Sequence, residues 1–189
     1  MNNDNRTVFS RAEMFLMNRD ILLERGVTIE SIAEIAYKQQ SKYCDGVSMS
    51  VCVESVEKIL SYRDIFHIVQ LSVEIDRLAE EGQLRSPIQE IIRTDLGMFG
   101  VDEIFGLNIA AKYGTIGQTN FGDIDVNKPG IVKELNEKGK GEQCHTFLDD
   151  VVGAIAAAAS TRVAQIMNEA KAKVNPDFKP IQFDFDEED

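Results

Sequence analysis

The stretch from His145 to Lys173, HTFLDDVVGAIAAAASTRVAQIMNEAKAK, constrains the fold more than any other part of the chain. Two adjacent acids, Asp149 and Asp150, open it, and more than two helical turns of Val, Ile, Ala and Gly follow. A helix that is apolar all round belongs inside other helices rather than on a surface. The stretch therefore predicts a central helix over about 146–172, with Thr146 as N-cap and Asp149 closing a capping box. At about 100° per residue, Asp149, Gly153, Ala156, Ala157 and Ser160 share a stripe, with Asp150, Ala154 and Thr161 beside it. Side chains this small invite a neighbouring helix to come close to the two aspartates.

The rest of the chain reads as capped amphipathic segments. Ser10 and Glu13 form a capping box ahead of Met14, Ile21 and Leu22, and Thr28 caps a helix carrying Ile29, Ile32, Ala33 and Ile35. Ser48 or Ser50 starts a third helix, Ser61 with Asp64 caps a long fourth one, and Pro87 opens a short fifth. A sixth runs from near Gly97 or Gly100 to near Gly114. The polar segment from Tyr113 to Asn127 reads as the one long irregular stretch, and Lys128-Pro129-Gly130 opens a short helix after it. Gly139 to Gly141 reads as a flexible link. With no period-2 pattern, the expected class is all-α, a bundle of about six to eight helices around the apolar one.

Residues 1–173 are read as a single helical domain, and 174–189 as an acidic, disordered tail. The tail holds six acids and one lysine, so it carries −5 of the net −12 and the body −7. That balance disfavours nucleic acid and suits divalent cations. No run approaches the roughly 20 apolar residues of a membrane span, and the amino terminus has no secretory pattern. The expectation is a cytoplasmic protein. Three cysteines without metal-type spacing and only two histidines leave oxygen as the ligand for any metal.

The sixth helix carries acids where a solvent face is not expected. Asp102 falls between Phe105 and Ile109 on one side and Gly106 on the other, and Glu103 falls beside Leu107 and Ala110. Ionised groups on an apolar stripe are expensive unless paired or bound to a cation. Singly, each acid has a plainer reading: Asp149 as a cap, Asp123 as a loop-shaping residue, Lys128 as a solvated lysine, His145 as a structural residue. His67 reads as a packed or partly exposed core histidine.

Asp102-Glu103-Ile104-Phe105-Gly106, Asp125-Val126-Asn127-Lys128-Pro129 and Asp149-Asp150-Val151-Val152-Gly153-Ala154 resemble, in order, the D-E-x-x-G, D-x-x-K-P and D-D-x-x-A-G blocks of phosphatidylglycerophosphatase A. The chain is most similar to the soluble, all-helical branch of that family found in Gram-positive bacteria. It differs from the membrane enzymes in lacking their spans. Its Gly114-Thr115-Ile116-Gly117-Gln118 follows the D-E block, where the membrane enzymes place G-T-x-G-S ahead of it.

The resemblance implies a Mg2+-dependent phosphatase that converts phosphatidylglycerophosphate to phosphatidylglycerol, with a central helix surrounded by others. It places Asp102, Glu103, Asp125, Asp149 and Asp150 in a metal-binding acidic site and Lys128 near the substrate phosphate. Asp150 is the stronger ligand candidate of the adjacent pair, and His145 is a candidate proton donor to the leaving oxygen. A lipid substrate implies a protein peripheral to the membrane. The alternatives are a soluble phosphate ester as substrate, or a non-catalytic, homo-oligomeric interaction protein that keeps the acids as a structural cation site.

Overall fold

In the computed structural model, which describes residues 8–138 and 143–174, the apolar stretch forms helix α9, Leu148–Val174. Every residue from Leu148 to Thr161 is buried, because other helices wrap that half on all sides. The helices around it are α1 (Arg11–Glu24), α2 (Ile29–Gln40), α3 (Met49–Leu60), α4 (Arg63–Glu80), α5 (Ile88–Arg93), α6 (Val101–Ala111), α7 (Gly114–Asn127) and α8 (Ile131–Lys138). Helices α2, α3, α4, α6, α7 and α8 pack directly on α9. The architecture is an all-α bundle with a central apolar helix. The link at 139–141 and the tail beyond Val174 lie outside the described residues.

Local signals account for the first three helix starts. Ser10 and Glu13 complete a capping box at α1, Thr28 and Ser31 complete one at α2, and the Ser48 hydroxyl caps α3. The fourth helix departs from expectation: Ser61 closes α3, and Tyr62 precedes α4 without a side-chain cap. His67 is exposed on α4.

The main correction concerns Tyr113–Asn127, which is a helix and not an irregular stretch. Three glycines, two threonines and two asparagines within Gly114–Asn127 give α7 weak helical propensity, each interior glycine costing about 1 kcal/mol relative to Ala. Packing supplies what propensity lacks. A Cβ on Gly117 would lie 2.2 Å from the Ala110 carbonyl oxygen, and one on Gly106 would lie 2.4 Å from Phe121 Cζ. Gly153 of α9 lies under Ile124 and Phe121, its own imagined Cβ 3.2 Å from Ile124 Cγ2. The missing side chains on α6 and α9 thus make the socket into which α7 presses Phe121 and Ile124, both buried.

This packing sets an expected result. Gly106→Ala forces the Phe121 ring out of its place and destabilises the chain by about 1–3 kcal/mol. Urea denaturation measures it, and a change below about 0.5 kcal/mol would show that the ring has room to yield.

Candidate active site

Two helix N-termini meet at the site. Asp102 and Glu103 lie in the first turn of α6, and Asp149 and Asp150 lie in the first turn of α9. Helix dipoles favour negative charge at both ends. Helix α7 delivers the remaining groups: Asp125 in its last turn, and Lys128 as its C-cap. Lys128 holds a left-handed backbone, φ 41°, while its N–H donates to the Ile124 carbonyl at 2.8 Å. A non-glycine residue in that region carries strain of about 1 kcal/mol or more. The turn sends the chain on into Pro129 and α8, and the ammonium returns toward α9.

Lys128 Nζ donates to Asp125 Oδ1 at 2.8 Å, Asp149 Oδ2 at 3.1 Å and Asp150 Oδ1 at 3.3 Å. Asp150 also belongs to a second group, since one oxygen each of Asp102, Glu103 and Asp150 lie within 4.8 Å of one another. Asp102, Asp149 and Asp150 are buried and Glu103 is half-buried. The structure therefore brings together all five expected acids and Lys128. Asp123 stays apart, bonded to Gln39 and Asn127 between α2 and α7.

Crowding shows in the acid strengths. Burial, and then the neighbouring Glu103, pushes Asp102 up to about 7. Burial and Asp149 push Asp150 up to about 8 against the pull of Lys128, while Asp149, also raised by burial but better served by Lys128, sits at about 6. Burial works to lower Lys128, yet Asp149, Asp125 and Asp150 overcome it and hold the ammonium above its ordinary value.

A divalent cation fits the Asp102, Glu103 and Asp150 donor set. Among the described residues nothing donates a hydrogen bond to the buried Glu103 Oε2, an arrangement that is costly unless a cation or donor meets it. Three carboxylates suit a hard ion that takes oxygen ligands.

The start of α9 is held by residues that the sequence reading passed over. Thr146 does not cap the helix; its hydroxyl donates to the Ile92 carbonyl at 2.6 Å. The cap is Asp76 of α4, fully buried, whose carboxylate accepts from Phe147 N at 3.1 Å and Leu148 N at 3.0 Å. Burial raises Asp76 to about 8 against the pull of those two N–H groups. Asp149 is accordingly not a capping-box acid: Oδ1 accepts from Asp150 N and Oδ2 from Lys128. Arg25 and Glu80 pair beside this anchor, Arg25 donating to the Cys144 carbonyl and Glu80 accepting from Cys144 N. A signal existed in the sequence, since Asp76 stands at helical spacing from Val69 and Val73 on the inward face of α4.

His145 belongs to the same anchor. Its Nδ1 lies 3.3 Å from Arg25 Nη2 and its Nε2 3.0 Å from Gln143 Oε1. Burial and Arg25 lower it to about 4, so the ring is neutral near pH 7. With the ring neutral and both nitrogens engaged by Arg25 and Gln143, His145 is held in this anchor and stands apart from the carboxylates where the expected proton donor would act.

The raised acids set a pH dependence. Between the ordinary carboxylate range near 4 and about 8, the folded chain holds protons that the unfolded chain has lost, so stability falls as pH rises through that window. Without divalent ions the melting midpoint is expected to be higher near pH 5 than near about pH 8.5. Mg2+ is expected to shrink the difference, and Asp150→Asn to reduce it. A drop of the same size in Asp150→Asn would remove this site as its source.

A family profile described as Phosphatidylglycerophosphatase A matches residues 28–165. The chain is 44% identical over 174 residues to YpjQ of Bacillus subtilis, covering 92% of this chain and 97% of that one. It is 43% identical to YutG of the same organism, covering 81% and 92%. Among solved structures, B. subtilis YpjQ superposes with a TM-score of 0.81 at 45% identity, covering 86% of this chain and 99% of that one. The low temperature requirement C protein of Listeria monocytogenes gives 0.80 at 45% identity, covering 84% and 99%. Helices α2 to α8 and the acidic half of α9 fall within the profile match, and with them all three acidic blocks. The chain belongs to the phosphatidylglycerophosphatase A family.

Proposed function

We propose that this chain is a Mg2+-dependent phosphomonoesterase that converts phosphatidylglycerophosphate to phosphatidylglycerol. The observation that carries the reading is the convergence of Asp102, Glu103 and Asp150, one oxygen of each within 4.8 Å of the others, with Lys128 joining Asp150 to Asp125 and Asp149. Asp102, Glu103 and Asp150 would hold the ion. When bound, such an ion supplies Lewis-acid charge to phosphoryl oxygens and a more acidic water. Lys128 sets a fixed positive charge at the edge of the site that favours an incoming phosphate. The buried walls of α6, α7 and α9 keep bulk water away, which strengthens each of these interactions. Asp76, Arg25 and Glu80 hold the first turn of α9, and so the two aspartates on it, in register with α6.

Apolar surface near the acids supports an amphiphilic substrate. Among the described residues no helix is long and apolar enough to cross a membrane. Leu96, Met98, Val101, Ile104 and Leu107, the residues flanking Asp102 and Glu103, are exposed. A groove of about 350 Å³ lined by Asp64, His67, Ile68, Ile104, Phe105 and Asn108 opens between α4 and α6, with one acid among its walls. Exposed apolar patches of this kind mark binding surfaces. The test is phosphate release from phosphatidylglycerophosphate in mixed micelles and from glycerol phosphate in solution, each with Mg2+ and with chelator. Chelator-sensitive release from the lipid alone is expected. Release from the soluble ester alone would move the assignment to a soluble substrate, and release from neither would end it.

A further inference from the structure

We infer that the Lys128 ammonium is a built-in second cation, so that the acidic site takes one divalent ion and not two. The inference rests on the metal-site reading above and concerns how this chain divides its five carboxylates. Phosphoryl-transfer sites with many carboxylates commonly hold two metal ions about 3.5–4 Å apart, with carboxylates shared between them. Here the carboxylates fall into two sets that share Asp150. One set is Asp102, Glu103 and Asp150, one oxygen of each lying within 4.8 Å of the others. The other is Asp125, Asp149 and Asp150, and its centre is filled: Lys128 Nζ lies 2.8, 3.1 and 3.3 Å from one oxygen of each.

Three carboxylate oxygens around one nitrogen is what a metal would meet in the same place, and an ammonium has three hydrogens to satisfy them. The position is fixed from the backbone upward. Lys128 closes α7 in a left-handed conformation and Pro129 follows, so the lysine stem leaves the main chain at a set point. Asp125, one turn earlier on α7, meets the ammonium from the same helix, while Asp149 and Asp150 reach it from α9. A divalent ion entering the second set would have to expel a cation held by three carboxyl groups and tethered to the chain.

The consequence is a division of labour that no chelator can undo completely. The Asp125, Asp149 and Asp150 set keeps its counter-charge in metal-free protein, and only the Asp102 and Glu103 side depends on an added ion. A lysine is also a fixed point charge without open coordination positions, so the exchangeable ion sits beside Glu103.

Mn2+ binding to the full chain tests this, counted by the electron paramagnetic resonance signal of free Mn2+, a readout independent of turnover. One ion per chain is expected for the parent and for Lys128→Arg. Lys128→Met keeps the stem and removes the charge, and is expected to bind two. Lys128→Gln serves as a second neutral variant, with circular dichroism establishing that the variant counted is folded. Two ions on the parent would overturn the inference while leaving the metal site standing, and so would a single ion on a folded neutral variant. No Mn2+ on the parent would overturn the metal reading itself, and this inference with it.

Discussion

Asp150→Asn is expected to lower Mg2+-dependent phosphate release by about a thousandfold or more, the scale on which electrostatic groups at a phosphoryl-transfer site act. Asp150 is the one carboxylate shared by both halves of the site, facing Asp102 and Glu103 on one side and Lys128 on the other. The amide keeps the shape and removes the charge. It also turns a donor toward cations wherever its nitrogen replaces an oxygen. The fold is not expected to suffer. Burial and Asp149 drive Asp150 up to about 8, so its ionised form opposes folding near neutral pH, and the neutral amide removes that opposition. The measurement is therefore paired: phosphate release with and without Mg2+, and the melting midpoint of metal-free protein near about pH 8. Activity equal to the parent would sink the assignment. A melting midpoint well below the parent's would show that the paired Asp150 carboxylate contributes net stability.

Asp76→Ala is expected to cost the most in stability, about 2–4 kcal/mol. Among the described residues its carboxylate accepts from the N–H groups of Phe147 and Leu148, both buried at the start of α9. Leaving buried donors unsatisfied costs about 1–3 kcal/mol each, offset in part because the buried carboxylate no longer has to be desolvated. Asp76→Asn keeps an acceptor for one N–H and sets its own donors against the other, so an intermediate loss is expected. Urea denaturation monitored by circular dichroism ranks the two. A change below about 1 kcal/mol for the alanine variant would show that water takes over the cap. Because Asp149 and Asp150 follow within two residues, a loosened start of α9 also lowers activity.

The central helix and the acids of α6 were legible because each contradicts a simple surface pattern. An all-apolar run such as Val151 to Ala159 has nowhere to go but inside, and Asp102 on an apolar stripe needs a partner. Helix α7 was not legible by propensity. Its Gly114, Gly117 and Gly122 argue for a loop, and only the socket made by Gly106 and Gly153 shows why a weak sequence is helical there. Gly117, Phe121 and Ile124 at helical spacing were the signal available.

The cap of α9 failed for a related reason. Thr146 and Asp149 satisfy the local capping pattern, and nothing within the segment reveals that a carboxylate from α4 competes for the same N–H groups. Asp76 wins because its two carboxyl oxygens reach both N–H groups at once, where a threonine hydroxyl offers a single oxygen. Once the cap is taken, Asp149 is released to meet Lys128. The surroundings of His145 were hidden on the same ground, since its neutrality comes from burial and from Arg25, contributed by the end of α1.

By itself, the sequence determined which residues carry charge, which run must be central, and that three acidic blocks belong to one family of sites. The first two are properties of residue type and spacing, which local physics sets, and the third is what the resemblance of the blocks implies. Only the tertiary structure decided that Lys128 stands between Asp125, Asp149 and Asp150, that Glu103 keeps an unpartnered oxygen, and that His145 faces Arg25 instead of the carboxylates. The reason is reach. Charges interact over a few ångströms of space, and residues 25 and 145, or 76 and 147, become neighbours only when helices far apart in the chain share the burial of α9.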